Sequence, residues 1–322
     1  GLVAMSQFIV TTRLVLWQMK HRPWSYAVFQ LSLSGINAGL SLFLVLGLSM
    51  GASGRILGIG IASVVMAVGA IFLFGRNREM KLNWDSAGAK TAIAYGAPLI
   101  LHVLGGVVMG LSDRFIITRQ MGTETTGSFY VAMQLSLPLI VIADGINRAF
   151  VPWLYARLSK QENLHAVGAS YLMIVSFMTI GGLYAIASLW LMPVLVGPDY
   201  AHMNRITAVL ALGATFQACY LAIVNYLFFL GRTGILSMVT VTCGSLYLVG
   251  GWYLAGQHNL TGFAVWFAFV QLLMLGMAWL LSARVCPMPW RAFRAGIKTV
   301  ASPFFAAVFS RFETNFNSGG GK

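Results

Sequence analysis

Long apolar runs without charge are the feature that most restricts what this chain can fold into. The run from Ile56 to Phe74, for example, contains no charged residue. A helix of about 20 such residues crosses a hydrocarbon core roughly 30 Å thick. Membrane β-strands would instead alternate apolar and polar residues over roughly ten positions, whereas these runs are apolar on every side. The sequence therefore predicts an all-α, polytopic membrane protein.

Eight complete spans and one partial span account for the apolar runs. The partial span covers residues 1–17 and starts at Gly1 without a methionine, so we expect a start cut within a helix rather than a signal peptide. The complete spans cover residues 26–48, 56–74, 92–111, 127–147, 170–192, 206–230, 235–255 and 262–282.

The positive charges are divided unevenly between the connections on the two sides of the membrane. Of the 21 Lys and Arg residues, sixteen lie in one set of connections together with the C-terminal tail, and Arg13 lies in the partial span. The other set holds only Arg55, Arg114, Arg119 and Arg205. Cytoplasmic loops carry the excess of positive charge. The connections at 75–90 and 148–165 are therefore predicted to be cytoplasmic and that at 193–204 periplasmic.

The remaining composition excludes several classes of site. A net charge of +13 is common in nucleic-acid binders, but those proteins gather Lys and Arg into one patch, and here they lie between spans. The cysteines, Cys219, Cys243 and Cys286, show no CxxC or Cys/His spacing. Motifs such as HExxH, the nucleophile elbow and the phosphate-binding glycine loop are absent. We expect no nucleic-acid partner, metal, cofactor or catalytic residue.

The longest polar connection, residues 75–90, divides the chain into two helical domains. We predict a first domain at 1–90 and a second, with six helices, at 91–290. The tail at 291–322 is predicted to be cytoplasmic and either interfacial or disordered. Its run VASPFFAAVF is too short to span, and its end, NSGGGK, is of low complexity.

Four stretches of the sequence resemble one family of exporters. They are YGAPLILHVLGGVVMGLSDRFIITRQMGTETTGSFYVAMQ at 95–134, QMKHRPWSYA at 18–27, GPDYA at 197–201 and FFLGRTG at 228–234. Over about residues 1–290 the chain resembles the Wzx-type polysaccharide flippases of the multidrug/oligosaccharidyl-lipid/polysaccharide exporter superfamily. Members usually have about twelve or more spans in two similar lobes. The resemblance implies a two-lobe exporter architecture with an incomplete N-terminal lobe that lacks about three helices.

The resemblance also implies a function in polysaccharide biosynthesis, such as that of the O-antigen of lipopolysaccharide. The protein would flip a polyprenyl-pyrophosphate-linked oligosaccharide across the bacterial inner membrane by alternating access. Its partners would be that lipid-linked oligosaccharide, membrane lipids and other polysaccharide-assembly membrane proteins.

Two other functions stay open at this point. One is a multidrug or small-solute exporter of the same superfamily, for which Asp113 and Asp144 are the candidate acidic groups. The other is a membrane polysaccharide polymerase or ligase. Such enzymes usually place their site on a large outer loop, and the longest outer loop expected here, about 112–126, is short.

Polar residues within three spans indicate a substrate pathway. An ionisable group that faces lipid costs about 2.5–3.5 kcal/mol or more, so such groups usually face a bundle interior or a watery cavity. At 100° per residue, the polar residues of each of these spans share one face. The candidate pathway residues are His102, Asp113, Tyr130, Gln134, Asp144, Arg148, Gln30 and Asn37.

Several of these residues have a plainer explanation that the sequence leaves open. His102 also fits an interior histidine whose hydrogen bonds are satisfied. Asp144 and Arg148 are four residues apart and also fit an intrahelical ion pair. The stripe with Gln30 and Asn37 also fits packing against a neighbouring helix. Arg114 points about 100° away from Asp113 and is expected to anchor in the outer headgroups.

Overall fold

The computed structural model describes residues 1–79 and 85–300, which are helical almost throughout. Within these residues, nine helices are long and apolar enough to cross a membrane. The predicted all-α, polytopic fold is therefore confirmed. The helices are α1 Leu2–Met19, α2 Pro23–Leu42, α3 Gly51–Arg76, α4 Ser86–Met121, α5 Thr123–Ser159, α6 Asn163–Leu195, α7 Asn204–Phe229, α8 Thr233–Gly256 and α9 Leu260–Val285. A π-helical turn, Phe43–Gly47, extends α2, and a 3-10 helix, Pro198–Met203, precedes α7.

The described residues form two compact units, Gly1–Ser86 and a second one from Ala87 onward. In the first unit, α1 and α2 pack against α3 and against each other. In the second unit, α7 is the central helix and packs against α5, α6, α8 and α9. The most apolar stretch of α7 is 67% buried, more than that of any other described helix. A helix that is apolar on all sides and surrounded by others forms the core of its unit.

Large apolar side chains cover much of the outer surface of both units. Phe72 is 66% exposed, Leu183 64% and Val249 72%. Soluble proteins rarely expose apolar surface so extensively, and in a bilayer the hydrocarbon tails would cover it. The chain is accordingly a multi-pass membrane protein.

Two helices, α4 and α5, extend furthest beyond the apolar runs that predicted them. The predicted spans 92–111 and 127–147 are parts of α4 and α5, and only Gly122, at φ 91°, separates these helices. The predicted outer loop at 112–126 is therefore wrong. Hydropathy marks only the part of a helix that lies in hydrocarbon, whereas the helix continues while its backbone hydrogen bonds can form. Glycine suits the turn because it adopts positive φ without a steric cost.

The first part of the predicted tail packs against the second unit. Residues 293–300 are helical, and a methyl group on Gly168 of α6 would lie 2.0 Å from the carbonyl oxygen of Gly296. The ring of Trp290 lies 5.0 Å from that of Tyr226. Backbone contact through two glycines places this segment against α6. The rest of the predicted tail, residues 301–322, lies outside the described residues.

In the first unit, one carboxylate connects the ends of two helices. Glu79, which follows α3, accepts hydrogen bonds from Arg13 and Lys20 of the α1 segment. Arg13 is 1% exposed, and its guanidinium carbon lies 4.3 Å from the ring centroid of Trp17 and 4.9 Å from that of Phe74. The hydrogen bonds from Lys20 and then Arg13 lower the pKa of Glu79 from 4.5 to about 2.

This ion-pair cluster predicts how the first unit responds to acid. A carboxyl group whose pKa falls on folding stabilises the folded state above its unfolded pKa of 4.5, and this contribution is lost as the pH falls towards about 2. The melting temperature of the first unit should therefore stay constant from about pH 7 to pH 5 and decrease at pH values below about 4.5. Limited proteolysis of the purified protein in detergent at increasing temperatures measures it.

Two variants test the assignment of this acid response. Glu79→Gln should lower the melting temperature at neutral pH and reduce the acid response of the first unit. Glu124→Gln changes an exposed carboxylate of the second unit and should do neither. An acid response in Glu79→Gln as steep as that of the unchanged protein would contradict the assignment.

Candidate substrate cavity

The second unit contains a cavity of about 540 Å³ within its membrane-spanning helices. This volume lies within the roughly 300–1,000 Å³ of sites that bind small molecules. The wall is formed by α4, α5, α7, α8 and α9 and includes apolar side chains such as Met109, Leu137 and Phe267. Its polar residues are His102, Asp113, Arg114, Tyr130, Gln134, Gln217, Tyr220, Thr240 and Gln271.

Three glycines of α4 affect the cavity, one by permitting close packing against α8 and two by leaving the cavity wide. A methyl group on Gly105 would lie 2.9 Å from the Thr240 methyl group, so this glycine permits α4 and α8 to approach closely. A methyl group on Gly106 or Gly110 would meet no atom within 4 Å. These two glycines line the cavity and leave it wider than larger residues would.

Asp113 and Arg114 meet at Tyr130 in the cavity wall. Asp113 is 3% exposed, and it accepts hydrogen bonds from the Tyr130 hydroxyl at 2.7 Å and from the Arg114 backbone N–H at 2.9 Å. The Arg114 guanidinium lies 4.3 Å from the centroid of the Tyr130 ring. Tyr130 thus binds the carboxylate through its hydroxyl group and the guanidinium through its ring face.

The expectation that Arg114 points away from the face of Asp113 is therefore wrong. The 100° rotation between neighbours separates their Cβ atoms, but it does not determine where a long, flexible side chain ends. An aromatic ring on α5, within reach of both residues, brings the two charged groups together at the same cavity.

His102 combines the two roles that the sequence left open. Its Nδ1 lies 2.5 Å from the hydroxyl oxygen of Thr240, which also lies 3.0 Å from the carbonyl oxygen of Leu236. Whether Nδ1 donates to or accepts from this hydroxyl group depends on the ring tautomer, and in the neutral ring Nε2 takes the opposite role. The half-buried ring also lines the cavity. The histidine is thus held through Nδ1 and remains able to form a hydrogen bond through Nε2.

Four polar residues of the wall were not singled out in the sequence: Gln217, Tyr220, Thr240 and Gln271. Each lies on α7, α8 or α9, in a span that is otherwise mostly apolar. Gln271 is 4% exposed, and within the described residues its Oε1 atom has no hydrogen-bond partner. Isolated amides and hydroxyl groups within apolar spans were the signal that could have identified these residues.

Asp144 and Arg148 form the intrahelical ion pair that their four-residue spacing also fits. The Nε atom of Arg148 lies 2.9 Å from Oδ2 of Asp144, and both side chains are about half exposed, 57% for Arg148 and 49% for Asp144. The described wall of the cavity does not include them. A place for Asp144 and Arg148 in a substrate pathway therefore remains a prediction, and an ion pair of this kind contributes about 0.2–0.5 kcal/mol on a helix surface.

The polar stripe of α2 lies in the first unit. Asn37 accepts a hydrogen bond from Ser41 at 3.2 Å, and the guanidinium of Arg55 on α3 lies 2.8 Å from the Ser41 hydroxyl and 3.4 Å from the Asn37 side-chain oxygen. These contacts join α2 to α3, as the packing interpretation of the stripe predicts. Gln30, on the same face, is partly buried, and a role for it in a pathway remains a prediction.

The sequence matches the family described as "polysaccharide biosynthesis protein" over residues 5–205, which is more than half of the chain. The chain belongs to this family. It is 26% identical over 258 residues to protein 1 of the Lsg locus of Haemophilus influenzae, and the match covers 77% of this chain and 63% of that protein. It is 27% identical over 256 residues to an uncharacterized membrane protein of the same organism, with 77% of this chain and 62% of that protein covered. The chain thus spans less than two thirds of the length of these relatives.

Solved structures of MATE transporters share the fold. Superposition on a mutant of the Vibrio cholerae MATE transporter VcmN has a TM-score of 0.70 at 13% identity and covers 86% of this chain and 65% of that one. A MATE in complex with MaL6 has a TM-score of 0.63 at 13% identity, with 86% of this chain and 66% of that chain covered. Identity this low shows the fold alone. The resemblance is thus confirmed in two respects, membership of the polysaccharide biosynthesis family and a fold shared with MATE transporters.

Proposed function

We propose that this protein belongs to the machinery that flips a polyprenyl-pyrophosphate-linked oligosaccharide across the bacterial inner membrane. The observation that carries the proposal is the polar cavity within the membrane-spanning helices of the second unit. A polar chamber at this place has no use in a helix bundle that only anchors, since polar groups in apolar surroundings are costly. The transporter fold and the membership of a polysaccharide family agree with a chamber for a glycan.

The chemistry of the wall supports a sugar as the cargo. Beside one carboxylate and one guanidinium, the polar side chains of the described wall are three amides, an imidazole and hydroxyl groups. Amides and hydroxyl groups can donate and accept hydrogen bonds, as sugar hydroxyl groups require of a partner. Alternating access would expose such a wall first to the cytoplasm and then to the periplasm while packed helices rock.

The same wall is a weak site for a cationic drug. Among the described residues that line the cavity, Asp113 is the one carboxylate, and it already accepts two hydrogen bonds.

A polymerase or ligase is disfavoured for another reason. The outer connection that would carry its site is reduced to Gly122 between two helices.

Deletion of the gene in a strain that makes surface polysaccharide tests the proposal. We expect surface polysaccharide to disappear and the lipid-linked oligosaccharide to accumulate on the cytoplasmic face, because flipping precedes assembly outside. The measurement is the access of a lectin to that glycan in inverted membrane vesicles and in spheroplasts. Restoration by the intact gene is the control.

Two results would refute the proposed function. Normal surface polysaccharide with a new sensitivity to cationic drugs would support a multidrug exporter. Accumulation of single, unpolymerised repeat units on the periplasmic face would support a polymerase.

A further inference from the structure

We propose that the cavity binds an uncharged sugar residue of the transported oligosaccharide and that Gln271 determines which pattern of sugar hydroxyl groups is accepted. This inference rests on the proposed function and specifies which part of the substrate the second unit binds. Three observations carry it: a buried acceptor without a partner among the described residues, an imidazole that lines the same cavity, and the near-neutral charge of the described wall.

The first observation is the orphaned side-chain oxygen of Gln271. The residue lies on α9, is 4% exposed and lines the cavity, and within the described part of the chain nothing donates a hydrogen bond to its Oε1. Leaving a buried acceptor unpaired costs about 1–3 kcal/mol. In the observed arrangement the oxygen is shielded from the cavity, and rotation about χ3, a broad torsion in glutamine, would present it to a hydroxyl group of a ligand and remove this cost. An ionised phosphate carries acceptor oxygens and cannot donate the missing hydrogen.

The second observation is the imidazole of His102 on α4. Because its Nδ1 is engaged by Thr240, its Nε2 is the ring nitrogen left for a ligand, and a sugar hydroxyl group can bond either tautomer because it both donates and accepts. Tyr220, on α7, adds a hydroxyl group to the same wall. An imidazole on α4, an amide on α9 and a hydroxyl group on α7 match a ring of hydroxyl groups better than a compact anion.

The third observation is the balance of charge. Asp113 and Arg114 contribute one negative and one positive charge to the cavity, and both contact Tyr130. An acidic sugar would bring a second negative charge into a space whose described lining holds one carboxylate and one guanidinium, and the resulting net negative charge is disfavoured in apolar surroundings. The cavity is thus suited to a neutral sugar, with the pyrophosphate bound elsewhere.

Such a site can discriminate between sugars. A pocket that hydrogen-bonds a substrate hydroxyl group rejects an analogue that lacks it, because the buried polar group is then left unpaired. The Gln271 amide would recognise the position of one hydroxyl group in this way, so neighbouring epimers should bind less well.

The test measures binding to the purified protein with two probes. One is the neutral oligosaccharide repeat unit released from its lipid pyrophosphate, and the other is inorganic pyrophosphate. We expect the oligosaccharide to bind and pyrophosphate not to compete with it. Gln271→Met, which keeps the length of the side chain, should weaken oligosaccharide binding by about tenfold or more. Gln257→Met, at the exposed end of α8, is the matched control and should bind normally.

The melting temperature of the unliganded variant separates binding from folding. Because Gln271→Met removes an unpaired buried acceptor, the empty protein should melt no lower than the unchanged protein. A lower melting temperature together with lost binding would assign Gln271 a structural role and overturn the inference. The inference would also be overturned if oligosaccharide binding did not depend on Gln271, or if pyrophosphate binding did depend on it.

The two proposals fail in different ways. If export requires the gene but the Gln271→Met variant exports and binds the oligosaccharide normally, the proposed sugar site is wrong and the proposed flippase function is retained. If export continues without the gene, the proposed function is wrong whatever Gln271 binds.

Discussion

Polysaccharide export should fall by about tenfold or more when Asp113 is changed to Asn, with the protein still present in the membrane at its normal level. The buried carboxylate accepts two hydrogen bonds, one of them from the Tyr130 hydroxyl. A hydrogen bond to a charged group contributes about 1.5–3 kcal/mol, roughly twice that of a neutral pair. Loss of the charge would loosen Tyr130 and, with it, the Arg114 guanidinium over its ring.

Arg114→Gln should reduce export to a similar degree, because the structure places this residue in the same wall. From the sequence alone, Arg114→Gln was expected mainly to weaken the anchoring at the outer interface. Export per unit of membrane protein is the quantity to measure. Asp199→Asn, in an exposed connection, is the control and should export normally. Normal export in Arg114→Gln together with lost export in Asp113→Asn would restore the interpretation of Arg114 as an interfacial anchor.

The second large effect is expected at the contact between α6 and α7. A methyl group on Gly181 would lie 2.0 Å from the hydroxyl oxygen of Thr215 and 2.6 Å from its methyl group. Thr215 is 2% exposed, and its hydroxyl group donates to the carbonyl of Ala211 at 2.8 Å. Gly181→Leu should therefore force the two helices apart. Overpacking of this kind costs about 1–3 kcal/mol, occasionally more, and should lower both the melting temperature and the amount of protein in the membrane.

The next residue offers a matched control. A methyl group on Gly182 would meet no atom within 4 Å. Both glycines lie within α6, so leucine improves helix propensity equally at either position, by up to about 1 kcal/mol. Gly182→Leu should accordingly keep or slightly raise the melting temperature. Equal losses in the two variants would show that leucine disturbs α6 itself rather than its contact with α7.

Part of the candidate site could be predicted from helical periodicity. His102 and Asp113 on one helix and Tyr130 and Gln134 on the next were expected to share a pathway, and the structure places all four at one cavity. Their roles in transport remain predictions. Periodicity succeeded here because it relates residues of a single helix, for which 100° per residue is a reliable rule.

Periodicity did not identify the residues that neighbouring helices contribute. Gln271 stands almost alone among apolar residues in its span, so no stripe indicates it. Thr240 shares a helical face with Thr233 and Ser237, but this face carries only small hydroxyl groups and no ionisable or amide side chain. The same limit explains Asp144 and Arg148, which continue the stripe of Tyr130 and Gln134 but form a half-exposed pair outside the described wall.

The sequence by itself determined the class of this protein: all-α, with nine apolar helices among the residues described. It could do so because a bilayer excludes unpaired backbone groups, so each apolar run of sufficient length must become a helix. Only the tertiary structure decided where those helices end and what lies between them. It showed that α4 and α5 meet at Gly122, that Arg114 lies over the ring of Tyr130 and that Gln271 lines the cavity with a side-chain oxygen that has no partner among the described residues. These features depend on side chains of different helices that are distant in sequence, and their proximity is set by packing, which no single helix encodes.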